Sequence, residues 1–114
     1  MKLIYYVYAY IRNKDSKVAK AGTPYYIGKG KNNRIREYHR KHISIPKDDF
    51  YIVFLETNLT DLGALALERR YIKWYGRIDN ETGILRNRTD GGEGSSGVIM
   101  SEESRKKKII SVIW

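Results

Sequence analysis

Three kinds of side chain in this sequence are equipped for chemistry: a large supply of tyrosines, arginines placed soon after glycines, and one glutamate, Glu68, inside an otherwise apolar helical stretch. A phenol can hold or move a proton, a guanidinium offers phosphoryl oxygens a fixed fork of donors, and a carboxylate binds hard cations through oxygen. Other mechanisms lack their parts. With no cysteine, and with His39 and His42 three apart and no HExxH sequence, neither a thiol nucleophile nor a familiar zinc hydrolase site can be built. The run Gly28-Lys29-Gly30-Lys31 is too short for a phosphate-cradling P-loop and lacks its spacing.

Bringing such groups together requires a core without staples, since 114 residues with no cysteine make one domain held by hydrophobic burial alone. Residues 3–11 (LIYYVYAYI) are β-branched and aromatic with little polar alternation, which predicts a central strand. The polar run RNKDSKVAKAGTP reads as a long hairpin connection to a second short strand at Tyr25-Tyr26-Ile27. Gly28 and Gly30 permit a tight turn and Asn32-Asn33 a helix cap. A helix over about 33–42 would then set Arg34, Tyr38 and Lys41 or His42 on neighbouring turns. Residues 50–57 (FYIVFLET) predict the third strand. Asn58 or Thr60 opens the longest helix, about 61–75, with Leu62, Leu65, Ile72 and Tyr75 as its apolar stripe and Gly76 as its stop. The turn-rich stretch 79–97 suits a linker or an ordered active-site loop. Ser101 caps a last helix, in which Arg105 to Lys108 precede Ile109, Ile110, Ile113 and Trp114.

Net charge is +9, and residues 12–47 carry eleven Lys or Arg against two Asp or Glu, so this third holds the whole excess. Cations gathered in this way predict a basic face for a polyanion; a solubilising lysine-rich surface is the plain alternative. No run approaches the ~20 apolar residues of a membrane helix. The N-terminal MKLIYYVYAYI reads as a buried strand, not a signal peptide, so the expected setting is cytoplasmic with no membrane partner.

In this order the residues resemble the GIY-YIG nuclease family, in particular its phage or mobile-element members of homing endonuclease type. Val7-Tyr8, in YYVYAYI, stands where the family has the end of its first tripeptide, and Tyr26-Ile27-Gly28 matches the second intact. Arg34 matches the helical arginine, and Tyr38, one turn on, falls where members carry histidine or tyrosine. Glu68, in ALERRYIKWYG, matches the helical glutamate, and Asn87, in LRNRTDGGEG, the asparagine ahead of glycines. Residue 6 is Tyr in place of the first glycine, and Val7 replaces isoleucine. Arg36 restores a longer spacing found in some members, but Arg34 followed by Ile35 and Tyr38 fits the phage-type pattern.

The resemblance implies an α+β fold, a small three-stranded antiparallel sheet flanked by helices, acting as a divalent-metal-dependent endonuclease on double-stranded DNA. It implies that Glu68 holds Mg²⁺ or Mn²⁺, that Arg34 stabilises phosphoryl charge, and that Tyr8 takes a proton from the attacking water. That last role needs a phenol pKa lowered by nearby cations such as Lys29. Tyr26 would position water or phosphate, with Tyr38 beside it, and Asn87 would tie the loop to the core. One site cuts one strand, so a duplex break implies a homodimer, two sequential events or a nicking function. Lys31, Arg36, Arg40 and Lys41 would contact the DNA backbone. The catalytic domain spans 1–94. Residues 95–114 form a basic helix that either closes the core or begins a DNA-binding motif, because GVIMSEESRKKKI resembles the opening of one appended to phage homing nucleases. Arg105, Lys106 and Lys107 would there reach phosphates. A phage-encoded enzyme would work in the host cell interior.

Each residue also has an ordinary reading. Tyr8 and Tyr26 could be half-buried strand tyrosines, Glu68 a solvent glutamate beside Arg69 and Lys73, and Asn87 a turn residue. A binding module that kept the fold and lost cleavage is the rival from a different functional class.

Overall fold

The computed structural model describes residues 2–37 and 43–91. Tyr38, Arg40, Lys41, both histidines and the whole expected C-terminal helix with Arg105, Lys106 and Lys107 therefore lie outside the described residues.

Strand β1 (Tyr5–Ile11) takes the apolar N-terminal run and sits at the centre of an antiparallel sheet, between β2 (Pro24–Gly30) and β3 (Ile52–Leu59). Both flanking partners cover its backbone, which is why it needs no polar alternation. Its side chains still alternate between faces. Tyr6, Tyr8 and Tyr10 point to one side, where Tyr25, Ile35 and Ile43 join them; Val7 and Ala9 point to the other, with Ile27, Ala64, Ile72 and Leu85. The second layer is closed by helix α1 (Asp61–Tyr75).

Helix α1 begins and ends as the sequence predicts. Thr60 caps it by accepting from the Gly63 amide at 2.9 Å, and Gly76 ends it in the left-handed region at φ 73°. Its buried stripe differs from expectation: Leu62 is 75% exposed and Tyr75 is also exposed, while Ala64, Glu68 and Ile72 face inward. Residues at i, i+4 and i+8 form the fully buried line, with Leu67 and Tyr71 packed beside it.

Where the expected helix over 33–42 was to begin, the chain forms a 3-10 helix, Asn32–Arg36, followed by Glu37 in extended conformation, and residues 38–42 lie outside the described residues. Asn32 itself adopts φ 55° and no side chain caps the turn. Tyrosine hydroxyls from β1 occupy the backbone groups that would have continued the helix. The Ile35 amide donates to the Tyr6 hydroxyl at 2.9 Å, Tyr10 donates to the Ile35 carbonyl at 2.6 Å, and Tyr6 donates to the Asn32 carbonyl at 2.8 Å. The tyrosine face thus carries a short turn and the segment around Ile43 to Ile45, leaving α1 as the only α-helix among the described residues.

Candidate active site

On the tyrosine face, β1 and β2 are in register with Tyr8 opposite Gly28 and Tyr6 opposite Gly30. A side chain at either glycine would collide with the residues above it. A Cβ on Gly28 would lie 2.5 Å from Tyr8 Cζ and 2.9 Å from Tyr26 Cε2, and one on Gly30 would lie 2.5 Å from Arg34 Cβ. The two glycines therefore let Tyr8 lie flat across β2 and bring the stem of Arg34 down beside it. This gives the glycine of Tyr26-Ile27-Gly28 a packing reason, and explains why Arg34 follows at its short spacing.

Tyr8 is completely enclosed, 0% exposed, with its ring between those of Tyr6 at 5.8 Å, Tyr10 at 5.4 Å and Tyr26 at 6.1 Å. Its hydroxyl bonds those of Tyr26 and Tyr10. Burial, reinforced by the Tyr26 and Tyr10 phenols, pushes its pKa well above the ordinary tyrosine value, and Arg34 only partly opposes this. The protein's own side chains thus supply no net lowering. Lys29 does not supply it either: opposite Val7 in register, it faces the α1 layer and pairs with Asp61. Tyr26 is only half-buried and is the tyrosine of the pair that solvent can reach. The Arg34 side chain is 42% exposed, with Glu37 at 3.8 Å.

Glu68 comes from the other layer. It is 9% exposed, between Ala64 and Ile72 in the buried stripe of α1, which rules out the solvent-glutamate reading. Next to it is Gly91, whose φ of 98° suits glycine and where a Cβ would lie 3.1 Å from Glu68 Oε1 and 2.9 Å from Arg69 Cγ. The glycine lets the backbone of the loop pass close to the carboxylate. Among the described residues no three His, Cys, Asp or Glu side chains gather as a metal-ligand group, so a cation here would take one carboxylate, with water and phosphate oxygens completing its shell.

Asn87 joins the two layers at the free edge of β2. Its side-chain amide acts as one residue of a missing strand: Oδ1 accepts from the Ile27 amide at 3.1 Å and Nδ2 donates to the Ile27 carbonyl at 2.8 Å. The Arg86 amide continues this by donating to the Tyr25 carbonyl at 2.7 Å. From Asn87 the chain has four residues in which to reach Gly91, a span of at most about 14 Å, and Gly91 lies against Glu68.

The structure thus brings Tyr8, Tyr26 and Arg34 together on one face, while Asn87 holds the β2 edge and Glu68 sits on α1 beside Gly91. Lys29 stands apart. Lys31 lies beside the Tyr5 ring at 5.6 Å, and Arg36 pairs with Asp49. Sequence reasoning missed the roles of Tyr6, Tyr10 and Gly91; period-2 tyrosines and a Gly-Gly pair were the available signals. Comparison with protein-family models, with curated proteins and with solved structures returns no match for this chain.

Proposed function

We propose that this chain is a divalent-metal-dependent endonuclease of the GIY-YIG kind that hydrolyses phosphodiester bonds in double-stranded DNA. What supports the reading is the packing of four of the motif residues around β2: Gly28 beneath Tyr8, Gly30 beneath Arg34, and Asn87 bonded to Ile27, with Glu68 buried in the opposite layer on α1. A phosphodiester laid over the edge of β2 would meet Arg34 and Tyr26 from one layer and Glu68 from the other.

Glu68 would hold Mg²⁺ or Mn²⁺, which when bound supplies an acidified water and neutralises phosphoryl charge. Arg34 would clamp the non-bridging oxygens as charge gathers on them. Tyr26 would orient water or phosphate. Tyr8 would fix the Tyr26 hydroxyl, and would take the proton of the attacking water only where a bound cation offsets the rise that burial gives its pKa. The exposed Lys31 and Arg36 would add backbone contacts along the duplex.

The test is incubation with supercoiled plasmid and Mg²⁺, beside E68A and an EDTA control. Nicked or linear product abolished by both is the expected result. No product, with wild type and E68A binding plasmid equally, would replace this reading with a non-catalytic DNA-binding module.

A further inference from the structure

Along the C-terminal half of α1, on the side away from the tyrosine face, a groove of about 1190 Å³ is lined by Arg69, Arg70, Lys73, Trp74, Arg77 and Asp90 among others. Four of these are cations and one is an acid, and Arg77 takes up that acid, donating to Asp90 at 2.7 Å. Trp74 is 76% exposed. The indole is part of an aromatic row: Tyr71 lies nearly parallel to it at 6.3 Å, and Tyr75 is tilted by 24° at 6.4 Å. Tyr71 is itself packed against the Val7 and Ile72 core, which anchors the aromatic row.

A flat, anchored aromatic surface beside a row of cations is the chemistry of unpaired nucleic acid, in which a base stacks on the ring and phosphates follow the charges. A stacked duplex offers no free base face, and an acidic peptide would use the cations but not the indole. We propose that this groove is a binding site for an unpaired nucleic-acid strand, with a base on Trp74 and the flanking phosphates on Arg70 and Lys73. The site is distinct from the Tyr8 and Arg34 cluster and does not depend on the chain being able to cut.

Binding is measured in EDTA, so cleavage plays no part, using the W114F chain, whose single remaining indole is Trp74. A thymidine oligonucleotide of about 12 nucleotides should quench Trp74 emission, and a uridine oligonucleotide run alongside tells which sugar is preferred. On the otherwise native chain, W74A should weaken binding about tenfold and W74F much less. The R70A/K73A double variant, with Trp74 in place, should flatten the salt dependence of log affinity by about 1.4. The proposal is overturned if W74A and R70A/K73A both bind the oligonucleotide as the native chain does. It is equally overturned if a duplex of the same length or polyglutamate quenches Trp74 as strongly.

Discussion

Tyr8 and its neighbours set the molecule's response to alkali. Burial raises the phenol pKa of Tyr6, Tyr8, Tyr10 and Tyr25 above the ordinary value of 10.0. Above that pH the unfolded chain releases protons that the folded chain retains, so stability is complete below about pH 10 and falls as pH rises further. Urea melts at increasing pH should show this. Y8F removes one such phenol, so above about pH 10 its stability should fall less steeply with pH than that of the native chain. An unchanged slope in Y8F would mean that Tyr8 ionises as an ordinary phenol. The alternation of Tyr6, Tyr8 and Tyr10 was legible as one face of a strand; their burial was not, because what covers them is a turn that they themselves create.

At the level of elements, β2 has a free edge that would otherwise leave Ile27 with an unpaired amide and carbonyl in a buried position. Asn87 satisfies both. N87A should cost about 1–3 kcal/mol in urea unfolding and open the Ile27 amide to hydrogen exchange. N87D should not rescue it, since a carboxylate cannot donate to the Ile27 carbonyl. The elements were read from sequence with uneven success, for a physical reason. Helix α1 signals its ends locally, through Thr60 and Gly76, and its bounds were legible to the residue. The 3-10 helix Asn32–Arg36 is decided by hydroxyls some 25 to 29 positions away in sequence, and no local propensity carries that information. Glu68 stood out as the one glutamate of this helix, and its burial follows from the same spacing that buries Ala64 and Ile72.

For the molecule as a whole, the concentration of charge in residues 12–47 overstates its basic face. Arg12 is buried and serves the fold: it donates to the Pro24 carbonyl at 2.6 Å and to the Ile84 carbonyl at 2.6 Å, tying the base of the hairpin to the loop after α1. Lys29 and Arg36 are engaged with Asp61 and Asp49. R12A should therefore destabilise by about 2–3 kcal/mol while leaving the salt slope of DNA binding unchanged. K31A should do the reverse, lowering that slope by about 0.9 with little effect on stability. Composition predicts a polyanion partner, but which cations face outward depends on the fold. No helix among the described residues is long and apolar enough to cross a membrane.

The contact between Gly28 and Tyr8 also restricts the order in which this sequence can change. Only one of the two positions can carry a full side chain, so G28A should be severely destabilising alone and much milder in a chain already bearing Y8A. A lineage that abandons the glycine must first give up the tyrosine. Any descendant of this chain that has lost Gly28 should therefore also have lost Tyr8, and comparing the two positions across future relatives reads out that dependence directly.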